Sequence, residues 1–240
     1  MVRFKRHDGR RADQLRPARI VPGFVRTAGG SCLIELGGTR VICTASFAPG
    51  VPSWLQGKGQ GWVTAEYGML PASTRSRKPR PLLKPDSRSL EIQRLIGRAL
   101  RSVVLADRLG ESTVTVDCDV LEADGGTRTA AITGGYVALA LALRGRQAAG
   151  EIPAGVLAGA VAAVSVGLVD AKAVLDLDYH EDVAAQVDMN VAMTSRGRFV
   201  EVQGTSEHGD FDDAQLGAML KLAKSGIRQL LRLQRQALEE

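Results

Sequence analysis

The clearest pattern in the chain is a change of period at residues 114–143. Val114, Val116, Cys118 and Val120 alternate with Thr115, Asp117 and Asp119, the two-residue period of a strand buried on one face. From residue 127 to 143 the positions are apolar almost all round and rich in Ala and Leu, which predicts a helix enclosed in a core. Both periods recur on either side. Residues 31–36 and 40–45 read as strands joined at Gly37-Gly38, a hairpin signal, and residues 61–70 as a further strand. Residues 88–107 place Ile92, Leu95, Ala99 and Val103 on one stripe, predicting an amphipathic helix with Ser87 as its cap. Arg88 shares that stripe one turn ahead of Ile92, while Arg94, Arg98 and Arg101 fall opposite, as surface charges or contacts to a partner subunit. An arginine on a core-facing stripe needs a carboxylate or a bound anion to offset its desolvation. Beyond residue 150, residues 159–169, 172–178, 187–194 and 198–205 read as strands. A helix follows over 212–238, with Leu216, Leu220, Ala223, Ile227 and Leu230 at helical spacing and Asp210 or Asp212 as cap. Strands followed by a helix thus occur twice, which predicts an α+β fold of duplicated β-α halves, residues 1–150 and 151–240.

Between the strand and helix of the first pattern lies Asp124-Gly125-Gly126-Thr127-Arg128. A Gly-rich turn at a helix N-terminus offers unpaired backbone N–H groups to an anion, which the helix dipole also favours. Arg128 adds a planar guanidinium that grips two phosphate oxygens at once. That reading makes the turn a phosphate cradle; the plainer one is a tight connection with Arg128 solvated. Further on, His180-Glu181-Asp182 falls in a turn before a strand, and Asp188 opens the polar side of that strand. Two such carboxylates hold a divalent cation or supply a proton, unless they are simply solvated. Asp117-x-Asp119 fits a metal or, equally, a polar strand face, and Ser165, in an alternating strand, reads as core.

Charge sharpens the picture. The net charge of +5 and pI near 9.4 favour an acidic partner, nucleic acid first. Arg75, Arg77, Lys78, Arg80 and Lys84 lie among Pro79, Pro81 and Pro85, with no acid from residue 71 until Asp86. Proline keeps this stretch out of helix and strand, leaving a basic loop that is either a linker or a track for a phosphate backbone. Residues 1–19, with Arg3, Lys5, Arg6, Arg10, Arg11, Arg16 and Arg19, read as a solvated basic arm. Cys32, Cys43 and Cys118 have no metal-binding spacing and fit reduced thiols. The N-terminus shows no secretory h-region, and the uncharged residues 152–169 are broken by Pro153, Gly155, Gly159 and Gly167, so no membrane span is expected.

Taken together, the segments RHDGRRADQLRP, SLEIQRLIGRALR, VDCDVLEADGGTRTAAITG, VAAVSVGLVD, DLDYHED, DMNVAMT and FVEVQGT resemble the bacterial ribonuclease PH family of phosphate-dependent tRNA 3′-exoribonucleases. The resemblance runs nearly the whole chain. It implies fused halves of the ribosomal protein S5 domain 2-like kind in a single compact domain, assembled as a homohexameric ring, a trimer of dimers. It implies inorganic phosphate bound by Arg88, Gly126, Thr127 and Arg128, with Asp182 and Asp188 as catalytic pair and Mg²⁺ ligands. The basic loop, with Arg75, Arg77, Lys78 and Arg80, is then the RNA-binding element. The implied activity is cytoplasmic: phosphorolysis at the 3′ ends of tRNA precursors and other RNAs, releasing nucleoside diphosphates and reversible when these are in excess. Two positions depart from the family, which usually carries Arg where this chain has Ala72 and Gly where it has Ser87. The alternative is a non-catalytic RNA-binding ring subunit, against which stands the presence of Arg88, Arg128, Asp182 and Asp188.

Overall fold

The computed structural model describes residues 6–80 and 86–239. Strands β1 (Ala18–Pro22), β2 (Gly30–Leu36) and β3 (Thr39–Pro49) form an antiparallel meander, and after a 3-10 turn at Ser53–Leu55 comes β4 (Trp62–Met69). Helix α1 (Ser87–Arg101), the short α2 (Ala106–Leu109), β5 (Ser112–Glu122) and the long α3 (Thr127–Ala148) complete the first half. Its sheet has the order β1-β2-β3-β5-β4, with β4 parallel to β5. The second half runs β6 (Val161–Val169), β7 (Lys172–Leu175), α4 (Tyr179–Ala184), β8 (Val187–Thr194), β9 (Phe199–Ser206) and α5 (Asp213–Glu239). Its sheet is antiparallel throughout, in the order β7-β6-β8-β9.

Helix α3 sits between the two sheets, which is why its sequence is apolar on every side and buried from Thr129 to Ala140. On one side it meets Cys32, Cys43 and Cys118, free thiols on three adjacent strands. Gly134 allows the approach, since a Cβ there would stand 2.7 Å from Ile34 Cγ2 and 2.9 Å from Cys43 Sγ. On the other side β7 pairs with β6 only from Val166 to Val169, so the edge of Ala163 turned away from β8 has no strand, and Thr133 supplies the missing partner. Its hydroxyl donates to Ala163 O at 3.2 Å and accepts from Ala163 N at 3.1 Å. Gln234 of α5 closes the same seam, donating to Val161 O and Thr133 O at 2.9 Å each.

Several expectations need correction. Helix α1 is capped by Asp86, not Ser87: Asp86 Oδ1 accepts from Ser89 N at 2.7 Å. It stops at Arg101, not near 107, because Leu105 N–H and the Val103 carbonyl turn to Val156 and Ala158. Arg101 is not a surface charge; it donates to Val63 O and lies over the Trp62 ring. Of the two caps expected for α5, Asp212 serves, and its backbone N–H is taken in return by Gln215. The largest departure concerns the arm. Arg3 and Lys5 lie outside the described residues, but Arg6, Arg10 and Arg16 are buried, not solvated. They are buried because Asp176, Asp178 and Glu181 of the second half stand opposite them.

Candidate active site

The site starts from the turn that links β5 to α3. Thr39 braces it, its hydroxyl accepting from Asp124 N at 2.9 Å and donating to Gly125 O at 2.7 Å. Gly125 has φ 76° and Gly126 has φ 66°, backbone that glycine alone adopts without strain. Space also demands glycine, since a Cβ on Gly125 would lie 2.6 Å from Leu177 O of the second half. Gly126 is the cap residue of α3, and it offers no side chain to the first helical N–H groups. Among the described residues, the N–H groups of Gly125, Gly126 and Thr127 donate to no backbone carbonyl outside the helix ladder. They open on a cavity at the positive end of a 22-residue helix. The Thr127 hydroxyl is fixed by Tyr67 OH at 2.8 Å, a partner that no sequence pattern marked.

That cavity, of about 780 Å³, gathers the candidates from both halves: Arg88, Gly126, Thr127, Arg128, Asp182 and Asp188 all line it. Arg128 donates to Gln203 Oε1 on β9 at 2.9 Å and lies 3.5 Å from Glu91 on α1. Arg88 corrects an expectation. It is exposed, because the stripe it shares with the fully buried Ile92 leaves the core at the first turn of α1 and faces the cavity. No internal carboxylate neutralises it among the described residues. Asp182 sits on α4, not in a turn; α4 is fixed by a capping box between Asp178 and Glu181. Asp188 lies on β8, opposite Gly167 and Thr205. Of the loop cations, Arg75 and Lys78 line the cavity, whereas Arg77 and Arg80 do not. Ser165 is buried as expected but also faces the cavity, its oxygen accepting from Leu177 N at 3.1 Å.

The electrostatics of the acidic pair are those of groups waiting for a cation or a proton. Burial pushes the Asp182 carboxyl above its ordinary range and the charge of Asp188 adds to this, against the pull of Arg88, Arg128 and Arg16. Burial raises Asp188 as well, with Arg128 opposing and Glu207 adding. Two half-buried carboxylates that resist ionising on one cavity fit the donor set of Mg²⁺, which takes one or two carboxylates and fills its shell with other oxygens and water. Among the described residues the tighter group His7, Asp178 and Glu181 also has ligand-like spacing. There Arg6 and Arg10 already neutralise Glu181, so no cation is required.

A fold of two β-α halves that meet at one cavity, with two arginines, an open helix N-terminus and two carboxyls in its lining, is the architecture of the 3′ exoribonuclease class. Residues 14–144 match domain 1 of the 3′ exoribonuclease family and residues 159–226 match its domain 2. The chain belongs to the 3′ exoribonuclease family. It is 54% identical over 237 residues to ribonuclease PH of Corynebacterium efficiens, a match covering 98% of this chain and 97% of that protein. The fold is shared with rice (Oryza sativa) Rrp46 at TM-score 0.77 and 19% identity, over 97% of this chain and 100% of that one. It is shared too with the Archaeoglobus fulgidus exosome with RNA bound to the active site, at TM-score 0.79 and 21% identity, over 95% and 92%.

Proposed function

We propose that this chain, a phosphorolytic 3′ exoribonuclease, trims the 3′ ends of tRNA precursors and other RNAs one nucleotide at a time. Residues 1–150 supply the phosphate cradle and residues 151–240 the acidic pair. Inorganic phosphate is held by Arg88, Arg128 and the N–H groups of Gly126 and Thr127, where charge-assisted hydrogen bonds orient it. One of its oxygens attacks the phosphorus of the last phosphodiester, and the bond to the 3′ oxygen of the preceding nucleotide breaks. The arginines offset charge on the equatorial oxygens as this happens. The departing 3′ oxygen needs a proton, and Asp182 or Asp188, each raised above the usual carboxylate range, provides it. Mg²⁺ bound by the two aspartates would add further charge neutralisation at the phosphoryl group. A nucleoside diphosphate leaves, and because the bond made resembles the bond broken, excess diphosphate drives the reverse.

The observation that carries this reading is the meeting, in one cavity, of two arginines, an open helix N-terminus and two carboxyls that resist ionising. Arg75 and Lys78 on the cavity rim support an RNA track that continues to Arg77 and Arg80. A homohexameric ring is supported by the edge strand β9 and the adjoining α1, which carry exposed Phe199, Val202 and Leu90, the kind of surface a second copy covers. A cytoplasmic setting accords with three free thiols, and no described helix is long and apolar enough to cross a membrane. The test is incubation of the purified protein with tRNA bearing extra 3′ nucleotides, with and without phosphate. Nucleoside diphosphates released only with phosphate support the proposal; monophosphates, or release without phosphate, refute it.

A further inference from the structure

The buried arginines of the N-terminal segment have no part in the chemistry just described, yet one of them grips the phosphate turn from behind. Arg16 is 4% exposed and its partner Asp176 1%. The guanidinium takes both carboxylate oxygens of Asp176, Nε to Oδ2 at 3.0 Å and Nη2 to Oδ1 at 2.7 Å, and Arg16 N adds a third bond to Oδ2 at 2.8 Å. Its other edge faces the turn: Nη1 donates to Asp124 O and Nη2 to Gly125 O at 3.3 Å. The side-chain stem crosses the β2–β3 hairpin at Gly37, where a Cβ would stand 2.6 Å from Arg16 Cδ. The hairpin glycine is therefore a slot for this arginine as well as a turn residue.

The consequence follows from peptide geometry. In a trans peptide the C=O of one residue and the N–H of the next point in opposite directions, and no cis bond occurs among the described residues. Drawing the carbonyls of Asp124 and Gly125 towards Arg16 therefore aims the N–H groups of Gly125 and Gly126 away from it. Both glycines line the cavity on that other side. At the same time, Asp176 has φ 57°, a left-handed turn that directs the chain into Asp178 and α4, which carries Asp182. One guanidinium thus ties the phosphate turn of the first half to the segment bearing the acid of the second.

We propose that Arg16 is a positioning residue for phosphate: it sets the direction of the Gly125 and Gly126 N–H groups and is not merely a buried ion pair. The inference rests on the phosphorolytic reading and goes beyond it, since Arg16 does not line the cavity and touches no substrate. Arg16→Lys keeps the charge opposite Asp176 but has a single nitrogen, which cannot serve the carboxylate and both carbonyls together. The Michaelis constant for phosphate should then rise on the order of 10- to 100-fold, the scale of a misplaced binding group. The KM for RNA should stay close to wild type. The phosphate concentration that gives half-maximal thermal stabilisation should rise by the same factor, a readout independent of turnover. Should the lysine variant fail to fold, the double variant Arg16→Gln, Asp176→Asn removes both charges and repeats the test. A lower Tm with unchanged phosphate dependence would overturn the proposal and leave Arg16 as a stabilising ion pair. Equal losses for phosphate and RNA would overturn it in favour of general distortion. A wild-type protein without phosphate saturation would instead refute the functional reading itself, and this inference with it.

Discussion

Gly125 and Gly197 make a matched pair, both at φ 76°, that separates backbone strain from crowding. Replacing Gly197, in the β8–β9 turn, puts a Cβ where nothing lies within 4 Å, so Gly197→Ala should cost only the left-handed strain, about 1–2 kcal/mol. Gly125→Ala incurs the same strain and in addition forces a Cβ to 2.6 Å from Leu177 O and 2.7 Å from Asp178 C. Those are backbone atoms, which cannot swing aside as the end of a flexible side chain would. Overpacking of this kind adds roughly 1–3 kcal/mol, for a total of about 2–5 kcal/mol. Urea unfolding at one fixed protein concentration, followed by circular dichroism, measures both. The same Cβ displaces the phosphate turn from Leu177, so Gly125→Ala should also lose phosphate-induced thermal stabilisation while Gly197→Ala keeps it. If both variants lose the same stability and respond alike to phosphate, the close approach of the two halves at the turn is not what requires glycine there.

Other outcomes follow from the same geometry. Arg128→Ala and Arg88→Ala should each lower phosphorolysis on the order of 10²–10³-fold; because Arg88 is exposed, its loss should leave the urea midpoint unchanged, and a marked drop would restore it to the core. Asp182→Asn and Asp188→Asn should lose turnover yet be more stable than wild type at pH 7. A folded carboxyl raised above its ordinary value of 3.8 destabilises the fold once pH exceeds that value, fully so above the raised one. The gain should vanish below pH 3.8, and an asparagine variant less stable than wild type at pH 7 would refute the electrostatics. Replacing Arg77 and Arg80 with Ser should weaken tRNA binding and make it less sensitive to salt, the slope of log affinity against log salt flattening by about 0.7 for each phosphate no longer neutralised. Short oligonucleotides should be spared by that pair but not by Arg75→Ser or Lys78→Ser, which lie on the cavity. Light scattering at micromolar concentration should give a hexamer; an active monomer would exclude the ring.

What the sequence could show depended on how local the cause was. The β5 strand, the α3 core helix and the glycine turn between them follow from period and composition within some thirty residues, and Val114, Val116, Cys118 and Val120 are buried as their alternation requires. The glycine turn that opens α3 was legible for the same reason: glycines, helix start and arginine are contiguous. The arm was not. Its arginines are indistinguishable in sequence from solvated cations, and the carboxylates that bury them lie 160 to 175 residues away. Arg88 failed differently, because a helical stripe gives an angle around the axis but not where along that axis the core ends. Ser165 likewise satisfied the strand period while its strand ran past the cavity wall.

Burial of the arm also changes where positive charge is open to a nucleic acid. With Arg6, Arg10 and Arg16 matched by Asp176, Asp178 and Glu181 inside the protein, they contribute little to attracting RNA. Beside the cavity, the cations open to a nucleic acid are then Arg75 and Lys78 on its rim, with Arg88 and Arg128 in its lining. Even there Arg128 is engaged, by Gln203 at 2.9 Å and Glu91 at 3.5 Å, while Gln203 also donates to Glu91 at 3.2 Å. On the proposed reading, an arriving phosphate would have to draw the guanidinium from these partners. The cost is small, because Glu91 is solvent-exposed and such pairs contribute about 0–1 kcal/mol. A doubly bonded guanidinium–phosphate contact is charge-assisted and stronger. Glu91 and Gln203 would therefore hold Arg128 in place before phosphate arrives without competing seriously for it, and β9 and α1, which carry them, are joined across the two halves by the residue proposed to grip phosphate.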